Sequence, residues 1–146
     1  MADPRPQTLA NHAKIVPAYH YALTLILVAN LLWSLWQLLR NPGIDSAITV
    51  LLAFGLMIIM WFVRIWPLTV QDRLIRLEEI LRMQRLLPPE QQERIGSLRR
   101  GQFVALRFAS DDELPALVQR VLDGELTSGK EIKRAIATWR ADHFRV

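Results

Sequence analysis

Two long uncharged apolar runs, parted by a helix breaker, constrain this chain more than anything else in it. Between Lys14 and Arg40 no side chain carries a permanent charge, and Tyr19 to Leu39 is a stretch of 21 mostly apolar residues. At 1.5 Å rise per residue such a helix reaches about 31 Å, enough to cross a bilayer's hydrocarbon core. A second run, Ser46 to Val63, follows Arg40-Asn41-Pro42-Gly43-Ile44-Asp45 and ends at Arg64. Both runs are too long and too evenly apolar for surface helices of a 146-residue chain. Asn41-Pro42-Gly43 is a strong breaker, and so short a connection joins only antiparallel neighbours. The expectation is a transmembrane helical hairpin, with spans at about 19–39 and 44–63 and both chain ends on one side. The first run exceeds a signal-peptide apolar region and no small-x-small cleavage site directly follows it, so it is expected to be a true span.

Charge sets the expected orientation. At the hairpin tip Arg40 and Asp45 nearly cancel, whereas the other side carries Arg5, Lys14, Arg64, Arg73, Arg76, Arg82 and Arg85. The positive-inside rule then puts both termini in the cytoplasm of a bacterial inner-membrane protein. Interfacial aromatics agree: Tyr19 and Tyr21 begin the first span where Trp61 and Trp66 end the second, and Trp36 lies near the opposite interface. Arg64 is placed to snorkel to headgroups, and Lys14, Arg73 and Arg76 add attraction to anionic lipid. The whole-chain averages, 51% apolar and 22% charged, conceal this division. The formal charge of +4 and pI near 10.1 come mostly from around the spans, because residues 88–146 carry ten basic and nine acidic side chains.

Polar residues inside the spans form a pattern. Asn30, Ser34 and Gln37 share one face of the first helix, and Ser46, Thr49 and Ala53 make a small, weakly polar stripe on the second. Counted from the tip, Gln37 matches Ser46, Ser34 matches Thr49, and Asn30 matches Ala53. One reading is a packing seam with hydrogen bonds across it. The others are a pore lining in an oligomer and a contact with another membrane subunit. No central acid or base marks an ion pathway.

Residues 64–87 read as a juxtamembrane stalk helix, with Pro67 expected to kink it or start it afresh. Val70, Leu74, Leu77 and Leu81 form a heptad-like stripe, and Asp72 with Arg76 and Glu78 with Arg82 are acid-before-base pairs at i, i+4. Two readings stand: a solvated helix packed on the C-terminal part, and a short homo-oligomeric coiled coil.

Pro88-Pro89 closes the stalk and opens a cytoplasmic module, residues 88–146, of short helices. These are expected at about Pro89–Ser97, Gly101–Ala109, a stretch after the Ser110–Glu113 capping box ending at Gly124, and one opened by Ser128-Gly129-Lys130-Glu131. The last is read to about Arg140, with Ile132, Ala135, Ile136 and Trp139 on its apolar side. So small a module without disulfides has a marginal core, so it should lean on the stalk, a second copy or another protein. The last two helices have the rhythm of a helix-turn-helix, with Lys130, Lys133 and Arg134 facing outward. The module's near-neutral charge argues against nucleic-acid binding.

Catalytic chemistry is not visible. Zero cysteines remove disulfides, thiolate metal sites and cysteine nucleophiles. There is no phosphate loop, no Gly-x-Ser-x-Gly elbow and no His-Glu-x-x-His. His12 and His20 are eight apart, a conceivable ligand pair that Pro17 disfavours, and Asp142-His143 lacks a third partner. No cofactor or metal is expected.

Several stretches resemble an uncharacterised family of small bacterial two-span membrane proteins. They are Asn11-His12 with Pro17-Ala18-Tyr19-His20, then Gln71 to Glu79, Ala105 to Asp111 through Leu114-Pro115, and Ile132 to Ile136 with Trp139-Arg140. The resemblance implies an inner-membrane protein with a helical cytoplasmic tail, and marks His12, His20, Arg73 and Glu78 for mutation. The expected whole is an all-α, non-enzymatic membrane scaffold or accessory subunit that oligomerises or binds a membrane complex. The alternatives are a small oligomeric channel and a membrane-anchored DNA-binding protein.

Overall fold

The computed structural model describes residues 8–9 and 15–142. Their order is a π-helical turn (Ala18–Leu23), α1 (Thr24–Arg40), α2 (Ile44–Leu86), α3 (Pro89–Arg94), a 3-10 turn (Ile95–Ser97), α4 (Arg100–Leu106), α5 (Leu114–Leu122) and α6 (Gly129–Ala135). The chain divides into two compact units. One is Ile15–Pro67, and the other is Met1–Lys14 with Leu68–Val146. Arg5, Lys14, His12 and His143, singled out above, lie outside the described residues.

In the Ile15–Pro67 unit, Ala18–Arg40 and the early part of α2 are helices long and apolar enough to cross a membrane. Most of their large side chains stay uncovered by protein: Leu25 is 70% exposed, Leu51 70% and Trp61 63%. Side chains of this kind stay out of water only if lipid or protein covers them. Asn41 ends α1 in a non-helical conformation, and its N–H still bonds Gln37 O at 2.8 Å. Ser46 then ties the turn, donating to Asn41 O and Gly43 O at 2.9 Å each. α2 runs unbroken through Pro67, so the helix does not start afresh there. Proline removes a single N–H, and a long helix bonded on both sides of it retains its other hydrogen bonds.

In the other unit, four short helices and the last turns of α2 enclose one core. Phe103, Leu106, Phe108, Leu114 and Ile132 are fully buried, and Met83 of α2 and Leu87 just after it join the same cluster. The stalk therefore supplies core that residues 88–146 lack by themselves. Gly124 sits at φ +82°, the left-handed conformation that closes α5 and that glycine adopts without strain. At Gly129 a Cβ would stand 3.3 Å from Gly101 O, so the missing side chain lets α6 lie close on α4.

Helix α6 is shorter than the apolar spacing predicts. It stops at Ala135, and Ile136 is extended rather than helical. The reason lies in where the next backbone groups bond. The Ala137 and Thr138 N–H groups donate to the Glu113 carboxylate at 3.0 and 3.2 Å. The Ser110 N–H bonds Thr138 O, and the Arg140 N–H bonds Phe108 O at 2.8 Å. Trp139 faces Ala109 through an isolated antiparallel bridge and stacks on Phe108, with ring centroids 5.0 Å apart. Its apolar side still enters the core, but from an extended segment.

Candidate functional site

In the Ile15–Pro67 unit, burial follows two lines of alternating three and four residue steps. On α1 these are Thr24, Leu27, Leu31, Ser34 and Leu38; on α2 they are Ser46, Val50, Ala53, Met57 and Met60, all buried or half-buried. Ser34 and Ala53 are each 1% exposed, so small residues let the helices approach where they meet. Gln37 is half-buried, whereas Asn30 and Thr49 are exposed. Those two therefore stand beside the seam, and hydroxyls do not bridge it as the pattern of polar residues predicts. Ser34 donates to Asn30 O and Thr49 to Asp45 O, both at 2.8 Å, each satisfying its proton on its own helix. The hydroxyls that do cross belong to Tyr19, which donates to Met60 O, and to Thr24, which donates to Met60 Sδ at 3.8 Å. Tyr21, Trp61 and Trp66 are exposed, Arg64 is half-buried, and Trp36 lies under Arg40, whose guanidinium is 5.7 Å from the ring.

The stalk part of α2 has two unlike faces. One is sealed: Ile75, Glu79, Arg82 and Met83 are buried, as is Leu87 just past the helix end. The other carries Val70, Leu74, Leu77 and Leu81 at 66, 54, 55 and 54% exposed. Packing on the C-terminal helices thus accounts for only one side of the helix. Arg73 and Glu78 are exposed and flank the open stripe.

Arg82 joins the sealed face to the rest of its unit. Its Nε donates to Asp111 Oδ1 at 2.8 Å, Nη1 to Glu79 Oε2 at 3.1 Å and Nη2 to Ala109 O at 2.7 Å. Arg140 lies 3.7 Å from the other Glu79 oxygen. The two helix-surface pairs expected from i, i+4 spacing are replaced. Arg82 takes Glu79 rather than Glu78, and Asp72 pairs with Arg100 at 3.7 Å rather than with Arg76. Arg76 instead lies over the Phe103 ring, 5.7 Å from its centroid. Sequence reasoning missed Arg82 as a hub, although an Arg aligned with the apolar residue Met83 on the stalk's second face was the available signal.

Burial pushes the Glu79 carboxyl above its ordinary value, with Arg82 pulling the other way. The hydrogen bond from Arg82 holds Asp111 below the usual carboxylate range. For Glu79 the stabilising contribution is full below its ordinary value near 4.5 and is lost as pH rises through its raised value. For Asp111 the contribution is present above the ordinary value and lost as pH falls through the lowered one. Wild type compared with Glu79→Gln should therefore lose relative stability as pH climbs above about 4.5. Below that pH the difference should level off. Thermal melting of both proteins across pH 4 to 8 checks it, roughly the window carboxylate titration spans, and a constant difference would count against this assignment.

A cavity of about 270 Å³ is lined by Ile75, Glu78, Glu79, Arg107, Arg140, Ala141 and Asp142. Arg107 is 7% exposed, its pKa lowered by burial, and Asp142 lies 3.2 Å from its Nε. Of the cavity's charges, Asp142 answers Arg107 and Arg140 answers Glu79, while Glu78 is exposed. Among the described residues no group of three or more His, Asp or Glu side chains is placed to hold a metal ion. His20 Nδ1 is 3.0 to 3.1 Å from the Val16 backbone, and His12 lies outside the described residues. Of the basic residues read as a DNA-facing set, Lys130 and Arg134 are exposed and Lys133 lies over Phe108 at 5.4 Å.

The arrangement is that of an all-helical protein with two apolar helices long enough to cross a membrane. The chain belongs to DUF6526, a family of unknown function whose model matches residues 1–146. No curated protein and no solved structure matches it.

Proposed function

We propose that this chain is a non-enzymatic scaffold or accessory subunit of the bacterial inner membrane, and that its stalk is the surface on which an assembly forms. The observation that carries this is the stripe of Val70, Leu74, Leu77 and Leu81, each more than half exposed on a helix whose opposite face is sealed. Four large aliphatic side chains in register are costly to leave in water, and covering them contributes about 1.5–3 kcal/mol per side chain when complete. The hairpin serves as the anchor. Both ends lie in the cytoplasm, on the charge balance between Arg64, Arg73, Arg76, Arg82 and Arg85 on one side and Arg40 with Asp45 on the other. Anionic headgroups add to the attraction at the stalk's membrane end.

The channel reading finds less support, since Ser34 is buried against α2 with its hydroxyl on its own backbone and Asn30 points away from the seam. DNA binding finds less too, since the would-be recognition helix α6 is seven residues long.

The test is the size of the assembly extracted from native membranes in mild detergent, compared with that of Leu74→Asn combined with Leu77→Asn. Both positions are exposed, so the substitution leaves the core untouched. The double variant should shift from an assembly to a single copy, weakened by a hundredfold or more on the transfer energies of two leucines. An assembly unchanged by it, or a wild-type chain that is alone from the start, sinks the proposal.

A further inference from the structure

We infer that the open stripe is covered by the same stripe of a second copy of this chain, the two stalk helices lying parallel and in register. This rests on the reading of the stalk as the association surface and adds the identity and geometry of the partner.

Val70, Leu74, Leu77 and Leu81 step by four, three and four, the spacing of d, a, d and a positions in a coiled coil. Setting Leu74 and Leu81 at a and Val70 and Leu77 at d assigns every other stalk residue. The f positions are then Asp72, Glu79 and Leu86, and b includes Ile75 and Arg82. These are among the residues the C-terminal helices cover: Ile75, Glu79 and Arg82 are buried, as is Met83 at c, Leu86 and the g residue Ile80 pack against the core, and Asp72 pairs with Arg100. The domain therefore occupies the back of the helix and leaves the a/d side free for another helix to approach.

The flanking charges select the partner. In this register Arg73 is a g position and Glu78 the e position five residues on. That is the interval at which g of one helix meets e of its neighbour in a parallel pair. A two-fold axis between identical copies creates the Arg73–Glu78 contact twice. Arg73 and Glu78 are both exposed and make no ion pair with another described residue. An antiparallel pairing with full a/d layers would set Val70 against Leu81 and Leu74 against Leu77. Arg73 would then face Ile80, and Glu78 would face Gln71, leaving both charges unanswered. Membrane anchoring by the same hairpin imposes the same choice, because two copies inserted in one direction send their stalks out side by side. A stripe of two heptads is short for a free coiled coil, and confinement to the bilayer raises the effective concentration that a weak pair needs.

The absence of cysteine from the chain makes the test clean. Single variants Val70→Cys, Leu77→Cys and, as a control on the far side, Arg76→Cys are made in the full chain and oxidised in membrane vesicles. The parallel pair brings each d position against its own copy, so Val70→Cys and Leu77→Cys should both give disulfide-linked dimers and Arg76→Cys should not. In the antiparallel arrangement the two copies of residue 70 stand about 16 Å apart along the axis, beyond the roughly 7 Å a disulfide tolerates. Residue 70 would then link only to residue 81, so dimer from co-expressed Val70→Cys and Leu81→Cys without dimer from Val70→Cys alone overturns the inference.

Charge exchange supplies the second arm. Arg73→Glu or Glu78→Arg should lower the dimer-forming tendency by about five- to tenfold, since both symmetric contacts become repulsive. The two together should restore it. Failure of that rescue overturns the assigned register. If the stripe variant Leu74→Asn, Leu77→Asn dissolves a native assembly while neither d-position cysteine links two copies, the partner is a different protein. The inference then falls and the reading of the stalk as an association surface stands. If the assembly survives the stripe variant, that reading falls as well.

Discussion

Arg82→Met should destabilise the C-terminal unit by about 3–5 kcal/mol, the cost of removing one partner from a buried ion pair. Its guanidinium is the shared donor to Glu79, Asp111 and the Ala109 carbonyl, and the side chain is 5% exposed. Methionine matches the stem and removes every donor. Asp111 then turns to water, because its side chain is already 61% exposed, and its share of the loss is small. Glu79 has no such escape: its side chain is 6% exposed, and only Arg140 at 3.7 Å remains near it. Removing the stranded acid as well, as Arg82→Met with Glu79→Leu, should recover most of the loss, since a well-packed apolar pair is often as stable as a buried ionic one. Hydrogen exchange of the α4 and α5 amides in the full chain reads both effects. Equal exchange in wild type and Arg82→Met would show that the network contributes nothing to holding the stalk against these helices.

How far the sequence foretells this structure depends on the length scale of each signal. The membrane-length helices and the break at Asn41-Pro42-Gly43 are written in runs of about twenty residues, where periodicity and charge leave one answer. The capping box at Ser128 is legible because it is local: the Glu131 N–H bonds the Ser128 hydroxyl at 3.2 Å, and the Glu131 carboxylate accepts from Ser128 N–H at 3.0 Å. The exposed stripe of the stalk was legible as a pattern, but its openness was not, because the same helix has a second apolar side at Ile75 and Met83 that only tertiary packing chooses. Pairings across long sequence separation escaped altogether. An i, i+4 rule assigns Glu78 to Arg82, yet burial of the Glu79 face and the distant Asp111 draw the guanidinium round the helix. The end of α6 escapes for the same reason. Its helical continuation would be sound locally, and it is the Glu113 carboxylate, more than twenty residues earlier, that captures the Ala137 and Thr138 N–H groups. Asn30 shows the limit of face counting. Its spacing to Ser34 and Gln37 is right for one stripe, but the contact line passes through Leu27 and Leu31 and leaves Asn30 on the outer side.

Phe103→Ala should unfold the C-terminal helices without disturbing the hairpin. Phe103 is 0% exposed in the cluster that Met83 of α2 and Leu87 just after it also join. Truncating a buried phenylalanine to alanine costs about 3–5 kcal/mol through lost transfer energy and the cavity left behind. Here the Arg76 guanidinium also loses the ring face 5.7 Å away. A small domain has a total stability of about 5 kcal/mol or little more, so this one change consumes most of it. Phe103→Leu keeps much of the volume and should cost correspondingly less, which separates a packing effect from any special role of the ring. The Ile15–Pro67 unit contains none of these core residues. Limited trypsin digestion of the full chain in vesicles distinguishes the two units, since Arg94, Arg99, Arg100, Arg107 and Arg120 all lie in the second. In Phe103→Ala, cleavage at these sites should be faster by a hundredfold or more, on the stability lost, while a fragment spanning residues 15–64 persists. Protection unchanged at Arg107 and Arg120 would mean that the stalk and the short helices do not share one cooperative core.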